Sequence, residues 1–254
     1  MPQQSHDALV TEQFGPQANA YLTSAVHAKG EDLAQFAAIV GSRPDAYAMD
    51  LGFGGGHVSF LLAPLVRKVV AYDLSEEMVA VVRAEAARRG FANLDARQGS
   101  VERLPCPDAA FDIVASRYSA HHWHDVQAGL REARRILKPG GLAVFMDVVT
   151  SDSPLLDTWL QSLELLRDPS HVRNYSVEQW RGMLEGAGFR PGTVSGFRLR
   201  LEFSSWIKRI NTPDTHVQAI LSLQKRAGAE VTRHFEIEPD GSFTIDTMLM
   251  VAEG

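Results

Sequence analysis

Ala46-Tyr-Ala-Met-Asp50-Leu-Gly52-Phe-Gly54-Gly-Gly56-His57 decides the fold. A short apolar run closes on Asp50, turns through four glycines and enters a segment of helical pattern. Lacking a Cβ, the glycines let the backbone turn sharply and approach a ligand closely. The following helix would turn its unpaired N–H groups and the positive end of its dipole toward whatever lies there. This is the order of a nucleotide-type cofactor loop after a first strand. Working outward, Lys68-Val-Val-Ala-Tyr-Asp73 is predicted as a second strand ending in an acid, 21 positions after Gly52. An acid about 20 residues beyond such a loop holds a ribose in doubly wound sheets, its carboxylate accepting from the hydroxyls. A dinucleotide loop would need Gly or Ala where His57 stands, and no reader of a pyrophosphate is evident.

Further along, Arg97-Gln-Gly-Ser-Val-Glu-Arg-Leu-Pro105 follows a third strand near Leu94–Gln98. Phe111-Asp-Ile-Val-Ala-Ser116 forms a fourth, and Leu137-Lys-Pro-Gly-Gly-Leu-Ala-Val-Phe-Met146 ends a helix and opens a fifth. With these blocks in order over roughly residues 45–150, the chain resembles the class I S-adenosylmethionine (SAM)-dependent methyltransferases. Within them it is most similar to the small-molecule group around the ubiquinone/menaquinone-biosynthesis methyltransferases. Gln13-Phe-Gly-Pro-Gln-Ala-Asn-Ala-Tyr21 is similar to the segment that caps the cofactor in that group. Two positions depart from the pattern: Phe53 stands where the family has Cys or another small residue, and Ser100 where it often has Asp.

The resemblance implies an α/β, Rossmann-like fold with a seven-stranded, mostly parallel doubly wound sheet. A helical preface precedes it, with Leu33, Phe36, Ala37 and Val40 at helix spacing, and helical insertions follow strands 5 and 6. One domain is expected, with residues 1–45 as a helical cap, 46–150 as cofactor core, 151–241 as substrate-side insertions and sixth strand, and 242–254 as a final strand. That strand would insert antiparallel beside the fifth. In Pro154–Leu166, residues Leu155, Leu156, Trp159, Leu160, Leu163 and Leu166 line one helical face. Such a helix would roof the active site or pair two subunits as a homodimer. Pro139-Gly-Gly is expected to stop the helix before the fifth strand, with Arg134, Arg135 and Lys138 near its C-terminus.

Composition sets further bounds. At 254 residues and 45% hydrophobic, the chain can bury a full core. Net charge is −6, with 25 basic against 31 acidic residues and no basic block, which argues against a nucleic-acid substrate. One cysteine, Cys106, excludes an internal disulfide framework and suits a reducing cytoplasm. Neither a leader-like segment nor a run of 18 apolar residues is found, so a cytoplasmic protein without a membrane span is expected.

By resemblance, SAM would be held by Gly52 and Gly54 at its methionine end, with Asp50 ordering the loop and the ammonium group. Asp73 would take both ribose hydroxyls, Leu74 and Met78 would border the adenine, and Ser100 and Val101 would meet the base edge. Arg117 would lie beneath the sulfonium and Tyr21 would close over the methionine carboxylate. Met78 serves equally as ordinary helix-core packing. The product would be S-adenosylhomocysteine. Ser116-Arg-Tyr-Ser-Ala-His-His-Trp-His-Asp125 follows the fourth strand, where doubly wound sheets bind their ligands. Its histidines titrate near 6.5 and could supply a base if the acceptor must lose a proton, His122 first and His121 second. The same residues could instead cap the next helix, with Asp125 as its start. A metal held by His121, His122, His124 and Asp125 is disfavoured, because adjacent side chains diverge. In Arg167–Tyr175, residues His171 and Arg173 would bind an anionic or hydroxylated acceptor by resemblance, or else belong to a polar loop.

The expected activity is methyl transfer to carbon or oxygen of a small ring-bearing or amphipathic acceptor. Two alternatives stand beside it: a SAM-binding regulator or scaffold without turnover, and an NAD-linked oxidoreductase. The second is opposed by His57 and by the Leu-Lys-Pro-Gly-Gly block.

Overall fold

Short runs rich in β-branched and apolar residues become strands here, and the amphipathic stretches between them become crossover helices. In the computed structural model, which describes residues 4–23 and 30–254, the strands are β1 (Arg43–Leu51), β2 (Val66–Asp73), β3 (Leu94–Gln98), β4 (Phe111–Arg117), β5 (Leu137–Val149), β6 (Arg190–Leu201) and β7 (Phe243–Glu253). They form one sheet in the order β3-β2-β1-β4-β5-β7-β6. β1 to β5 pair in parallel, and β7 inserts antiparallel between β5 and β6. This is the seven-stranded, mostly parallel sheet the sequence predicts. The order reverses between β1 and β4, which opens a crevice above their carboxyl ends.

Among the described residues, the helices before β1 are α1 (His6–Phe14), α2 (Ala18–Thr23) and α3 (Glu31–Val40). The crossovers carry α4 (His57–Leu62), α5 (Glu76–Arg89) and α6 (Val126–Ile136). α5 starts where the Ser75 side chain accepts from Met78 N, and it ends at Gly90 with a left-handed φ of 76°. One face of the sheet buries Leu51, Val114, Phe145 and Trp180; the other buries Ala48, Ile113, Val144 and, from α3, Phe36.

Beyond β5 come α7 (Pro154–Arg167), α8 (Val177–Gly186), α9 (Phe203–Lys208), α10 (Asp214–Lys225) and α11 (Ala229–His234). A separate core of Trp159, Leu163, Trp206, Phe235 and Phe243 fastens α7, α9 and α11 over the adjoining ends of β6 and β7. The inserted helices therefore roof the crevice. Trp159, Leu160 and Leu163 of the expected stripe are buried, whereas Leu155 in the first turn is 54% exposed. Among the described residues, no helix is long and apolar enough to cross a membrane.

One boundary differs from expectation. α6 stops at Ile136, and Leu137 to Gly141 already belong to β5. The ladder with β4 slips register between the pairs Phe111↔Leu137 and Ile113↔Leu142, so Pro139 and the two glycines sit in an irregular stretch of strand. Lys138 then donates to Asp112 at 2.7 Å on β4 instead of capping a helix.

Candidate active site

Each wall of the crevice comes from a strand end and the loop that leaves it. At the end of β1, Gly52 has φ 66°, and a Cβ there would lie 1.8 Å from the Ser119 hydroxyl of the loop after β4. Only glycine lets these two loops meet. Asp50 is buried; its carboxylate accepts from the Ser59 hydroxyl at 2.6 Å, and burial pushes its pKa up to about 7 against that bond. At the end of β2, one Asp73 oxygen accepts from Gly54 N at 2.8 Å and the other from Ser75 N at 3.0 Å. The acid thus ties the glycine loop to the start of α5. Each oxygen keeps a lone pair for a hydroxyl.

These groups border one cavity of about 1530 Å³, its open mouth included. Tyr21, Asp50, Gly52, Gly54, Asp73, Leu74, Met78, Ser100, Val101, Arg117, His121 and His122 all line it. Met78 does so from inside a buried cluster with Phe53, Phe60 and Val82, so its core role and its place on the wall coexist. Ser100 Oγ already accepts from Glu102 N at 3.2 Å, leaving its O–H to donate. Tyr21 bridges the two ends: its carbonyl accepts from His57 Nε2 at 3.0 Å, and its hydroxyl shares a hydrogen bond with Arg167 of α7. Burial raises the Tyr21 pKa, so that hydroxyl keeps its proton.

Arg117 borders the cavity and is also engaged in an ion pair. Its Nε donates to Asp32 of α3 at 2.5 Å, both side chains are nearly buried, and its guanidinium lies 4.4 Å from the Tyr118 ring centroid. A buried cation requires such a partner. Arg117 therefore pins the preface to the end of β4 while bordering the cavity. Tyr118 follows with φ 51°, rare for a bulky residue, and its N–H donates to Met146 O at 2.9 Å. The chain so turned off β4 enters a short 3-10 turn, Ala120–His122, before Asp125 caps α6 by accepting from Ala128 N at 2.9 Å.

The two histidines of that turn are wired unequally. His121 Nδ1 lies 2.5 Å from Oδ1 of Asp147, a buried acid near the end of β5 that also accepts from Val148 N. Burial works against the charged form of His121, yet the Asp147 charge and hydrogen bond outweigh it and hold the pKa above the ordinary histidine value. With Nδ1–H fixed on the acid, Nε2 has no hydrogen-bond partner among the described residues. His122 instead donates from Nδ1 to Ser170 O at 3.1 Å. Burial, then the His121 charge, depress its pKa to about 4. The arrangement of a base oriented by a third group belongs to His121, which reverses the order expected from sequence.

His171 and Arg173 do not reach the cavity wall. His171 Nε2 donates to Gln161 Oε1 at 2.9 Å, and Arg173 pairs with Asp157 at 2.7 Å, so both fasten their loop to α7. Burial drives the His171 pKa down to about 2, which keeps it neutral. On the roof side the cavity is lined instead by Glu164, Arg167, Asn174 and Arg209, beside Trp206 and Ile245. Sequence reasoning missed these and Asp147. The acid closing Phe145-Met-Asp147 was a readable signal, since it ends a strand as Asp50 and Asp73 do. Arg167 and Asn174 lie in the polar Arg167–Tyr175 stretch, though His171 and Arg173 were its expected binding residues; no local pattern marks Glu164 or Arg209. Among the described residues, no group of His, Cys, Asp and Glu has the arrangement of a metal site.

A glycine turn at the end of β1, an acid at the end of β2 and a roofed crevice above β4 and β5 define a nucleoside-cofactor transferase site on a Rossmann-like sheet. The methyltransferase-domain family matches residues 49–145. The chain is 34% identical over 222 residues to the Bacillus subtilis methyltransferase YcgJ, covering 87% of this chain and 88% of that one. It belongs to the class I SAM-dependent methyltransferases, with SAM as cofactor. The crystal structure of YcgJ superposes with a TM-score of 0.84 at 32% identity, covering 87% of this chain and 97% of that chain. The Escherichia coli protein YafE is 48% identical over 201 residues, 79% of this chain and 97% of its own length. The ubiquinone/menaquinone biosynthesis C-methyltransferase UbiE of Rubrivivax gelatinosus is 34% identical over 116 residues, 46% of this chain and 45% of its own.

Proposed function

We propose that this enzyme methylates a small ring-bearing or amphipathic metabolite, at carbon or oxygen, in one domain. Residues 46–150 would hold the cofactor, and the insertions within 151–241 the acceptor. The observation that carries this is the shared cavity: the Gly54–Asp73 loop lock and His121, itself paired with Asp147, border the same space. The residues fit SAM. Asp73 offers lone pairs to a ribose, the turn at Gly52 and Gly54 offers backbone to the methionine end, and Ser100 and Val101 face the base edge from beyond β3. When bound, SAM supplies an electrophilic methyl group on a sulfonium.

The chain's own work is to align, dry and deprotonate. Holding an acceptor in line can remove on the order of 7–11 kcal/mol of barrier. The roof, fastened by Trp159, Trp206 and Phe243, would limit the water that reaches an acceptor in the crevice. His121 Nε2 would take a proton from a phenol, an enol or an activated carbon, and Asp147 would hold the ring and stabilise the imidazolium. Net charge of −6 favours a metabolite over a nucleic acid. The partial similarity to a quinone-pathway C-methyltransferase favours carbon. Cell extract incubated with methyl-labelled SAM and the enzyme should yield a labelled small molecule by mass spectrometry, absent with His121→Ala. Label appearing only in protein or nucleic acid would overturn the assignment.

A further inference from the structure

Beyond Tyr21, whose hydroxyl shares a hydrogen bond with Arg167, the cavity continues to the roof side. Asp73 ends β2, whereas the roof side lies over β5, β7 and β6, several strands away across the sheet. Two guanidinium groups meet there. Arg167 is buried; its Nε donates to Trp206 O at 3.1 Å, and its guanidinium lies 5.0 Å from the Trp206 ring centroid. Arg209, at the C-terminal end of α9, lines the same space with no side-chain hydrogen bond or ion pair among the described residues. Burial lowers its pKa, Tyr21 and Glu164 oppose that, and the charge of Arg167 adds to it.

Their one nearby acid on the wall is Glu164, whose Oε2 stays 3.8 Å from Arg167. Asp168, the next acid, accepts from the Ser170 hydroxyl through Oδ1, and its Oδ2 lies 3.9 Å from His122 Nε2. Burial, first among its influences, raises the Glu164 pKa, against the opposing charges of Arg167, His121 and Arg209. Asn174 is 1% exposed and lines the cavity, yet neither its amide nitrogen nor its amide oxygen has a partner among the described residues. A buried amide left so is costly unless a ligand completes it.

We propose that the acceptor carries a carboxylate that docks against Arg167 and Arg209, with its apolar body on Trp206 and Ile245 and a polar edge toward Asn174. The planar guanidinium fork matches a carboxylate with two parallel hydrogen bonds, and stacking on Trp206 holds one fork in place. The inference rests on the cavity's being the acceptor site, and it names the acceptor's class.

The test titrates benzoate, phenylpyruvate and decanoate, each beside its neutral methyl ester, into the enzyme saturated with S-adenosylhomocysteine, by calorimetry. At least one acid should bind about tenfold more tightly than its ester, and Arg209→Gln should abolish that preference while leaving S-adenosylhomocysteine affinity unchanged. Arg209→Lys, which keeps charge without the fork, should retain part of it. If no acid outbinds its ester, or Arg209→Gln leaves the preference intact, the inference falls and the cofactor assignment stands. If Arg209→Gln weakens S-adenosylhomocysteine itself, the guanidinium serves the cofactor's own carboxylate and the inference is overturned. If the wild-type chain fails to bind S-adenosylhomocysteine, both fall together.

Discussion

At Asp73, two backbone donors and a sugar would share one carboxylate. Because the acid already fastens Gly54 and Ser75, its loss removes a ribose anchor and loosens the loop around it. Asp73→Ala should raise the SAM dissociation constant at least about tenfold, corresponding to a charge-assisted bond of about 1.5–3 kcal/mol, measured by titration. At His121 the expectation concerns turnover. His121→Ala should lower kcat about a hundredfold with SAM affinity intact, and His122→Ala should lower it far less. The base works when neutral, so kcat falls as pH drops through the His121 pKa, which lies above the ordinary value. Asp147→Asn removes the largest cause of that rise and leaves burial, which acts in the opposite direction, against only the weaker pull of Glu164 and Asp168. The acidic limb of the pH profile should then move to lower pH while the plateau falls. A limb that stays in place would exclude the pair. Asp73 and the glycines were legible because their spacing is local and set by one strand–turn–strand unit. The pairing of His121 with Asp147 was not, because the acid lies 26 positions away and the contact depends on which way a 3-10 turn faces.

α7 shows what an apolar period can and cannot say. Its stripe of Leu, Trp and Leu announces a buried face, and Leu163 sits fully inside the roof core. Leu163→Ala should cost about 2–5 kcal/mol of stability, read from the denaturation midpoint. Leu155→Ala, on the same stripe but 54% exposed, should stay within about 0.5 kcal/mol. Equal losses at both sites would mean that the first turn is covered in solution, as a homodimer would require. The period does not disclose what the opposite face binds. Asp157 and Gln161 lie one turn apart there and hold Arg173, His171 and the Asn174 carbonyl. The polar loop that resembles an acceptor clamp is therefore tethered to the helix beside it. A similar limit governs the end of α6, where Pro-Gly-Gly reads as a helix stop but the strand begins before it, in register with β4.

Across the whole molecule, the half that carries the family pattern is continuous in sequence, whereas the roof side of the cavity is assembled. Residues 49–145 carry one recurrent pattern, and the strand order with its antiparallel β7 follows from it. Arg167, Asn174 and Arg209 come together only when α7, its following loop and α9 close over the sheet, so no spacing announces them. Binding at the shared cavity should be felt globally. S-adenosylhomocysteine at a hundred times its Kd should add about 2.7 kcal/mol to unfolding, seen as a higher thermal midpoint. An unmoved midpoint would count against a nucleoside site between the glycine turn and Asp73.

Helix α1 contains no buried residue. Among its described contacts, His6 bonds the His122 carbonyl at 2.9 Å and Gln13 donates to the Ile210 carbonyl at 2.9 Å. With the Phe14 ring edge-on to Tyr21 and His122 as its further seat, this segment would open the crevice between solvent and methyl group if it swung aside. Its amide protons would trade with deuterium long before those of the central strands, and the pace of catalysis would then be governed by how fast methylated product slips out beneath it.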